Sequence, residues 1–214
     1  MRPEEKIKED YQAWNKYPNL RWTFNKLELS LRLGYDCGPS GTDVSNSGEY
    51  CVRPIYNLGG MGVGASFVFF NNNTDTIIPA GYFWCERFYG NHLSIDFINK
   101  NKKWTPIFAC QGFREDDDPL YQFNRWKKIQ IPNIKLPDFI EEIDSKELNI
   151  EFIGNKIIEI HLRHGSDFPE NATEIIPVWE NKKYHQSYKD WQYIENKDNS
   201  DSNLPNTRLG FYYR

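Results

Sequence analysis

Apolar and polar positions make the chain helical at its start and strand-rich in its middle. Residues 3–16 are mostly polar, with Ile7, Tyr11 and Trp14 on one side at spacings of four and three, which predicts an amphipathic helix. Residues 22–33, WTFNKLELSLRL, predict a stronger one: Phe24, Leu27 and Leu31 share a face, Thr23 or Asn25 is placed to cap it, and Gly34 stops it. After the turn-rich segment 34–48 comes a strand, EYCVRPIY, whose Pro54 belongs where no ladder donor is needed or near an edge. The runs ASFVFF, GYFWCERFYG, NHLSIDFIN and WTPIFACQGF predict further strands, with turns at NNNTD and KNKK. Residues 114–137 are polar and irregular, and 137–143 predict a short helix. ELNIEFIG and IIEIHLR, joined at Asn155-Lys156, read as a hairpin. The tail from about 180 is aromatic but loop-like, and 195–206, ENKDNSDSNLPN, has the least capacity to fold. Helices flanking a run of strands, with no internal repeat, predict an α+β protein with mainly antiparallel sheets.

Composition narrows the partners. The 214 residues suffice for one sizeable domain or two small lobes. Aromatics at 16% fill a core first and line a pocket second. The net charge is −4 and no basic stripe stands out, so a nucleic-acid backbone is not the expected partner. A nucleotide in a pocket needs only a few local cations. No apolar run approaches the roughly 18 residues of a membrane helix, and the charged N-terminus lacks the centre of a signal peptide. The chain is therefore expected in the cytoplasm. Cys37, Cys51, Cys85 and Cys110 fit no zinc or redox spacing and read as buried free thiols. The richness in Asn, Lys, Asp and Ile is of the kind AT-rich genomes encode, viruses and phages among them.

Two stretches carry candidate chemistry. In CVRPIYNLGGMGVGA, a strand leads into Gly59, Gly60, Gly62 and Gly64, with Met61 and Val63 between. Glycines let amide groups approach phosphate oxygens without a Cβ in the way, and Arg53 just upstream supplies a fixed positive charge. No Gly-Lys-Ser/Thr follows, so this is no Walker loop, and the spacing is not that of a dinucleotide fingerprint. An ordinary glycine-rich turn is the competing reading. In the hairpin, Glu151 and Glu159 fall opposite each other on one sheet face. Like charges so placed call for a cation between them, and magnesium takes carboxylate oxygens together with phosphates. His161 and Arg163 alternate onto the face of Glu159. A solvated sheet face is the competing reading here.

Together these stretches resemble the ATP-grasp family, over about residues 22–165. NKLELSLRLG is similar to the family's opening helix, with Lys26 in the place of a phosphate-contacting lysine. CVRPIYNLGGMGVGA resembles its strand and glycine flap, FWCERFYGNHLSIDFI its adenine hinge, and NIEFIGNKIIEIHLR its metal-binding strands. Three residues depart from the pattern. Arg53 stands where lysine is usual, His161 where asparagine often completes the metal site, and His92 where an acidic ribose-binding residue is common. About 20 residues precede the opening helix, where members usually carry an α/β domain. A homodimer or a partner subunit supplying that domain is one expectation, a minimal enzyme another.

The resemblance implies a fold of two α+β lobes with mainly antiparallel sheets holding nucleotide between them. The division is an N-terminal helical extension to 20, a small lobe over 21–80, a larger lobe over 81–180 and an aromatic tail over 181–214. It implies ATP and magnesium, and ligation of a small-molecule carboxylate to an amine through an acylphosphate. ATP would be held by Lys26, Arg53, Gly59, Gly60, Met61, Gly62, Glu86, Arg87, Phe88 and His92. The metal would be held by Glu151, Glu159 and His161, with Arg163 and Arg53 as catalytic cations. Gln111, Arg114, Tyr121, Arg125 and Trp179 are expected around the acceptor. A nucleotide-binding module without ligase activity is the alternative.

Overall fold

The computed structural model describes residues 7–71, 77–165, 168–182, 188, 190–196 and 206–214. Helix α1 (Asp10–Lys16) is followed by a 3-10 helix (Pro18–Phe24) and by α2 (Lys26–Arg32). Asn25 caps α2, its side chain accepting from the Glu28 amide at 2.9 Å. Because the 3-10 segment precedes it, α2 starts at Lys26 and not at residue 22. Its buried face is then Lys26, Leu29 and Ser30, while Leu31, expected inward, is 54% exposed.

Strands β1 (Cys37–Pro39), β2 (Gly48–Pro54), β3 (Ser66–Phe70) and β4 (Tyr82–Glu86) form a four-stranded antiparallel sheet in the order β1-β4-β2-β3. Pro54 sits beyond the last β2–β3 pair, Val52 opposite Ser66, so its missing N–H breaks no bond on that side. This sheet takes in β4 and so reaches Glu86, past the expected division at residue 80.

The remaining strands are β5 (His92–Lys100), β6 (Lys103–Phe113), β7 (Arg125–Lys128), β8 (Glu147–Ile153), β9 (Lys156–His161), β10 (Glu174–Trp179), β11 (Gln192–Glu195) and β12 (Arg208–Tyr213), with helix α3 (Asp138–Glu141) between β7 and β8. They form one eight-stranded antiparallel sheet, β11-β12-β10-β7-β6-β5-β8-β9. The tail expected to be loop-like thus supplies two strands. Its aromatic residues stack across them, Tyr193 on Tyr212 with centroids 5.0 Å apart. The turn read at 71–75 and the polar stretch 195–206 lie mostly outside the described residues. No described helix is long and apolar enough to cross a membrane.

The period of two splits the large sheet into faces. Ile95, Phe97, Leu148, Ile150, Phe152 and Ile160 are buried in the main core with Leu29 of α2 and Ile140 of α3. The alternate residues His92, Ser94 and Asp96 of β5 and Asn149 and Glu151 of β8 line the opposite side.

Candidate active site

A cleft of about 620 Å³ runs along that polar face and is closed by the small sheet. From the small sheet it receives Cys51, Arg53, Phe67 and Cys85, and over it lies the glycine loop, Gly59 to Val63. Lys26, Glu86, Arg87, Phe88, His92, Glu151, Glu159, His161 and Arg163 line it too. Residues expected around one nucleotide, drawn from four separate stretches, therefore meet in one place.

The chain enters the cleft with Lys26, whose amide donates to the Ile55 carbonyl at 2.9 Å, tying α2 to the end of β2. Arg53 lies over the Phe83 ring, 5.2 Å from its centroid, and its buried Nε makes no hydrogen bond among the described residues. A buried guanidinium N–H without an acceptor costs free energy, and a phosphate oxygen is the acceptor it fits best. The loop beyond is left-handed at Gly60, Met61, Gly62 and Gly64, with φ of 69°, 58°, 65° and 78°. At Gly64 a Cβ would stand 2.7 Å from the Tyr82 hydroxyl, so glycine is required there by space and by backbone. Asn57 pins the loop, donating to the Gly60 carbonyl at 2.8 Å and accepting from the Gly59 amide at 3.2 Å.

The hinge is fixed from below. The Gly154 amide donates to the Asn91 carbonyl at 2.9 Å, and a Cβ on Gly90 would stand 2.8 Å from the Gly154 Cα. That close approach sets the hinge on the β8–β9 turn. Glu86 is turned to the fold: its Oε1 accepts from the Asp36 amide at 3.2 Å. Arg87 stacks on Phe67 and pairs with Glu49 at 2.6 Å, leaving its Nε buried without a hydrogen bond among the described residues. Phe88 meets Tyr35 edge-on, with ring centroids 4.7 Å apart.

At the carboxylate end, the β8–β9 turn is Gly154-Asn155, one residue earlier than expected. A bulge between Glu151 and Phe152 compensates, and Glu151 stands opposite Glu159. Lys26 Nζ donates to Glu159 Oε1, with both side chains buried. His92 Nε2 and Glu151 Oε2 are 3.1 Å apart, and the His92 ring rests edge-on against Phe123 and Trp126. His92 therefore holds Glu151, where a contact to ribose was expected.

Asp10, at the start of α1, is the residue that sequence reasoning missed. Its carboxylate lies 2.8 Å from His161 Nδ1, and it accepts from Arg163 Nε at 2.8 Å and from Nη2 at 3.3 Å. Burial pushes Asp10 up, but His161 and Arg163 outweigh it and hold the carboxyl far below the usual carboxylate range. Burial opposes the charged form of His161, yet Asp10 and Glu159 raise its pKa above the ordinary value. Burial likewise works against the Glu151 carboxylate. The hydrogen bond and charge of His92, with the charges of His161 and Lys26, outweigh it and lower the Glu151 pKa.

The fit to a metal follows from these contacts. Glu151 and Glu159 are hard oxygen donors side by side, which suits a magnesium ion carried by a nucleotide. Such an ion needs one or two carboxylates beside the phosphates. His161 does not suit it. Its Nδ1 is engaged by Asp10, its Nε2 lies 3.8 Å from a carboxylate oxygen of Glu151 and of Glu159, and its raised pKa favours the charged ring, which cannot ligate a metal. Among the described residues, no group of three or more His, Cys, Asp or Glu is arranged to hold a metal ion. Arg163 has its Nε and Nη2 on Asp10 and its Nη1 on the His164 carbonyl. Of the acceptor candidates, Gln111, Arg114, Tyr121 and Trp179 line the cleft. Arg125 does not, and its Nε pairs with Glu174 at 3.1 Å. All four cysteines are free; Cys85 and Cys110 are buried and Cys37 and Cys51 half-buried.

Comparison with known proteins finds likeness in structure alone. No protein-family model matches the chain, and no curated protein matches its sequence. Among solved structures it is similar to an ATP-grasp superfamily protein from Archaeoglobus fulgidus, at 13% identity and TM-score 0.44, over 78% of this chain and 60% of that one. It is similar to L-amino acid ligase from Bacillus licheniformis at 10% identity and TM-score 0.47, over 67% and 41% of the two chains. It is also similar to N5-carboxyaminoimidazole synthase from Aspergillus clavatus, a structure with ADP bound, at 10% identity and TM-score 0.49, over 98% and 71%. The chain thus spans 60% and 41% of the length of the first two.

Proposed function

We propose that the cleft binds ATP with magnesium and that the protein is an ATP-dependent ligase joining a small-molecule carboxylate to an amine. The observation that carries this reading is the meeting of Arg53, whose buried Nε has no hydrogen-bond partner among the described residues, with Lys26, the glycine loop and the two carboxylates around one cleft. Bound ATP supplies the phosphoryl group: a substrate carboxylate oxygen attacks the γ-phosphorus and ADP leaves. The amine nitrogen then attacks the acyl carbon, phosphate leaves, and the amine gives up a proton.

The chain's own residues do the holding. Arg53 and Lys26 take the phosphates, and Glu151 and Glu159 are the residues that would hold the magnesium. The glycine loop covers them and keeps water from the activated carboxylate. Asp10 fixes His161 and Arg163 as a positive wall beside the carboxylates. Two lobes holding the nucleotide between them belong to the same proposal.

A second reading, a nucleotide-binding module that does not turn over, is favoured by one observation. Both carboxylates already have partners within the protein, Glu159 in Lys26 and Glu151 in His92. Titration with ATP, followed by measurement of ADP release over a panel of carboxylates and amines, tests both. Binding with release supports the ligase, binding without release supports the module, and no binding overturns both.

A further inference from the structure

Beyond the carboxylates, the polar face of the large sheet continues into a cluster that the nucleotide reading leaves unused. Strand pairing sets two successive rows across β6, β5, β8 and β9. The first is Cys110, Ser94, Glu151, Glu159 and the second is Phe108, Asp96, Asn149, His161. In the second row, Asp96 is only 7% exposed yet lines the cleft. Its Oδ1 accepts from Asn149 Nδ2 at 2.7 Å and from the Gly165 amide at 2.9 Å. No hydrogen bond or ion pair engages its Oδ2 among the described residues. The same Asn149 amide donates to Ser94 Oγ at 2.8 Å, so the Ser94 hydroxyl hydrogen and the Asn149 carbonyl oxygen are left to other partners.

From the segment after β9, Arg163 donates to Asp10 and to the His164 carbonyl. His164 Nε2 lies 3.2 Å from the Phe97 carbonyl, and its Nδ1 lies 3.8 Å from Glu147. From β6, Phe108 stands directly opposite Asp96 and packs on Phe168 with ring centroids 5.1 Å apart. Lys128 lies over the Phe108 ring, 5.8 Å from its centroid. A carboxylate oxygen and an amide carbonyl side by side in the cleft, beside aromatic side chains, are recognition elements for a positive group.

We propose that Asp96, Ser94 and Asn149, walled by Phe108 and Phe168, form a subsite for an ammonium or guanidinium group of the second substrate. The subsite rests on the nucleotide reading only for its place in a reaction; cation binding stands on these residues alone. The group held there is a recognition handle. It stays charged, so it is distinct from the neutral amine that would attack an activated carboxylate. The implied substrate class is a diamine, a guanidino amine or a peptide ending in a basic side chain.

Calorimetric titration of the full chain with agmatine, beside the uncharged alcohol pentanol as a control, tests this. Saturable agmatine binding at millimolar concentration is expected, with none for pentanol. Asp96→Asn keeps the acceptor for Asn149 and Gly165 but loses the charge, and is expected to weaken agmatine about tenfold while leaving ATP affinity unchanged. In the unmutated protein, the Gly165 backbone amide and Asn149 side-chain amide resonances are expected to shift as agmatine is added, which keeps the test open if the variant misfolds. Absence of agmatine binding, equal binding by Asp96→Asn, or shifts confined to other residues would overturn the subsite. Loss of ATP binding with agmatine binding intact would count against the nucleotide reading and leave the subsite standing.

Discussion

Asp10 concentrates the account at the scale of single residues. It carries one buried negative charge against two positive groups, and all three lie where function is proposed. Removing one partner of a buried ion pair leaves the others uncompensated. Asp10→Ala is therefore expected to destabilise the fold by about 3–5 kcal/mol in urea melts. Lys26 and Glu159 obey the same logic. Glu159→Ala strands the buried Lys26 ammonium, whereas Glu159→Gln keeps an acceptor and is expected to cost about half as much or less. Equal losses from the two Glu159 variants would show that the pair contributes packing and not charge. Lys26, Arg53, Glu151 and Glu159 were legible in the sequence because each sits in a stretch with its own pattern. Asp10 was not: it is one acid among several in a polar helix, and only the fold brings it 151 positions along the chain to His161. Ser94 and Asp96 were legible in principle, since the period of two puts them on the face of His92.

Elements explain how those residues are aimed. In the β8–β9 hairpin, continuing the pairing of Ile153 with Lys156 and Phe152 with Ile157 would set Glu151 against Ile158, and the register shift between Glu151 and Phe152 sets it against Glu159 instead. The length of α2 was misjudged because apolar spacing cannot register a 3-10 turn, and the buried Lys26 breaks the apolar pattern for the sake of Glu159. In the glycine loop two positions should behave differently. Gly64→Ala meets the Tyr82 hydroxyl at a left-handed φ and is expected to cost about 1–2 kcal/mol and to weaken ATP binding. Gly59→Ala meets nothing closer than the Asn57 Oδ1 at 3.4 Å and is expected to leave stability nearly unchanged. Melting curves of both variants check the contrast.

The small sheet has its own signature, a row of Cys37, Cys85 and Cys51 across β1, β4 and β2. Burial pushes the Cys85 thiol up to about 12, and Tyr35 likewise. In the unfolded chain such groups lose their protons nearer their ordinary values. Above a pH of about 9 the unfolded state therefore binds fewer protons than the folded one, and stability falls as pH rises towards 12. Native protein at pH near 8 is expected to leave Cys85 unmodified by iodoacetamide while denatured protein reacts fully. Rapid native alkylation of Cys85 would contradict its burial.

Across the whole molecule, two antiparallel sheets border one cleft, and the sequence foretold the class of fold, while the nucleotide and metal residues it singled out are among those that line the cleft. It did not foretell that the tail would extend the large sheet, because β11 and β12 are held by pairing with each other and with β10, a contact no local pattern carries. The most direct test of the central claim is calorimetric titration of the chain with ATP and magnesium, run beside Arg53→Met. The account predicts one site per chain and an affinity about tenfold or more weaker in the variant, from loss of a charge-assisted phosphate contact. No binding by the unmutated chain, or equal binding by Arg53→Met, would contradict it.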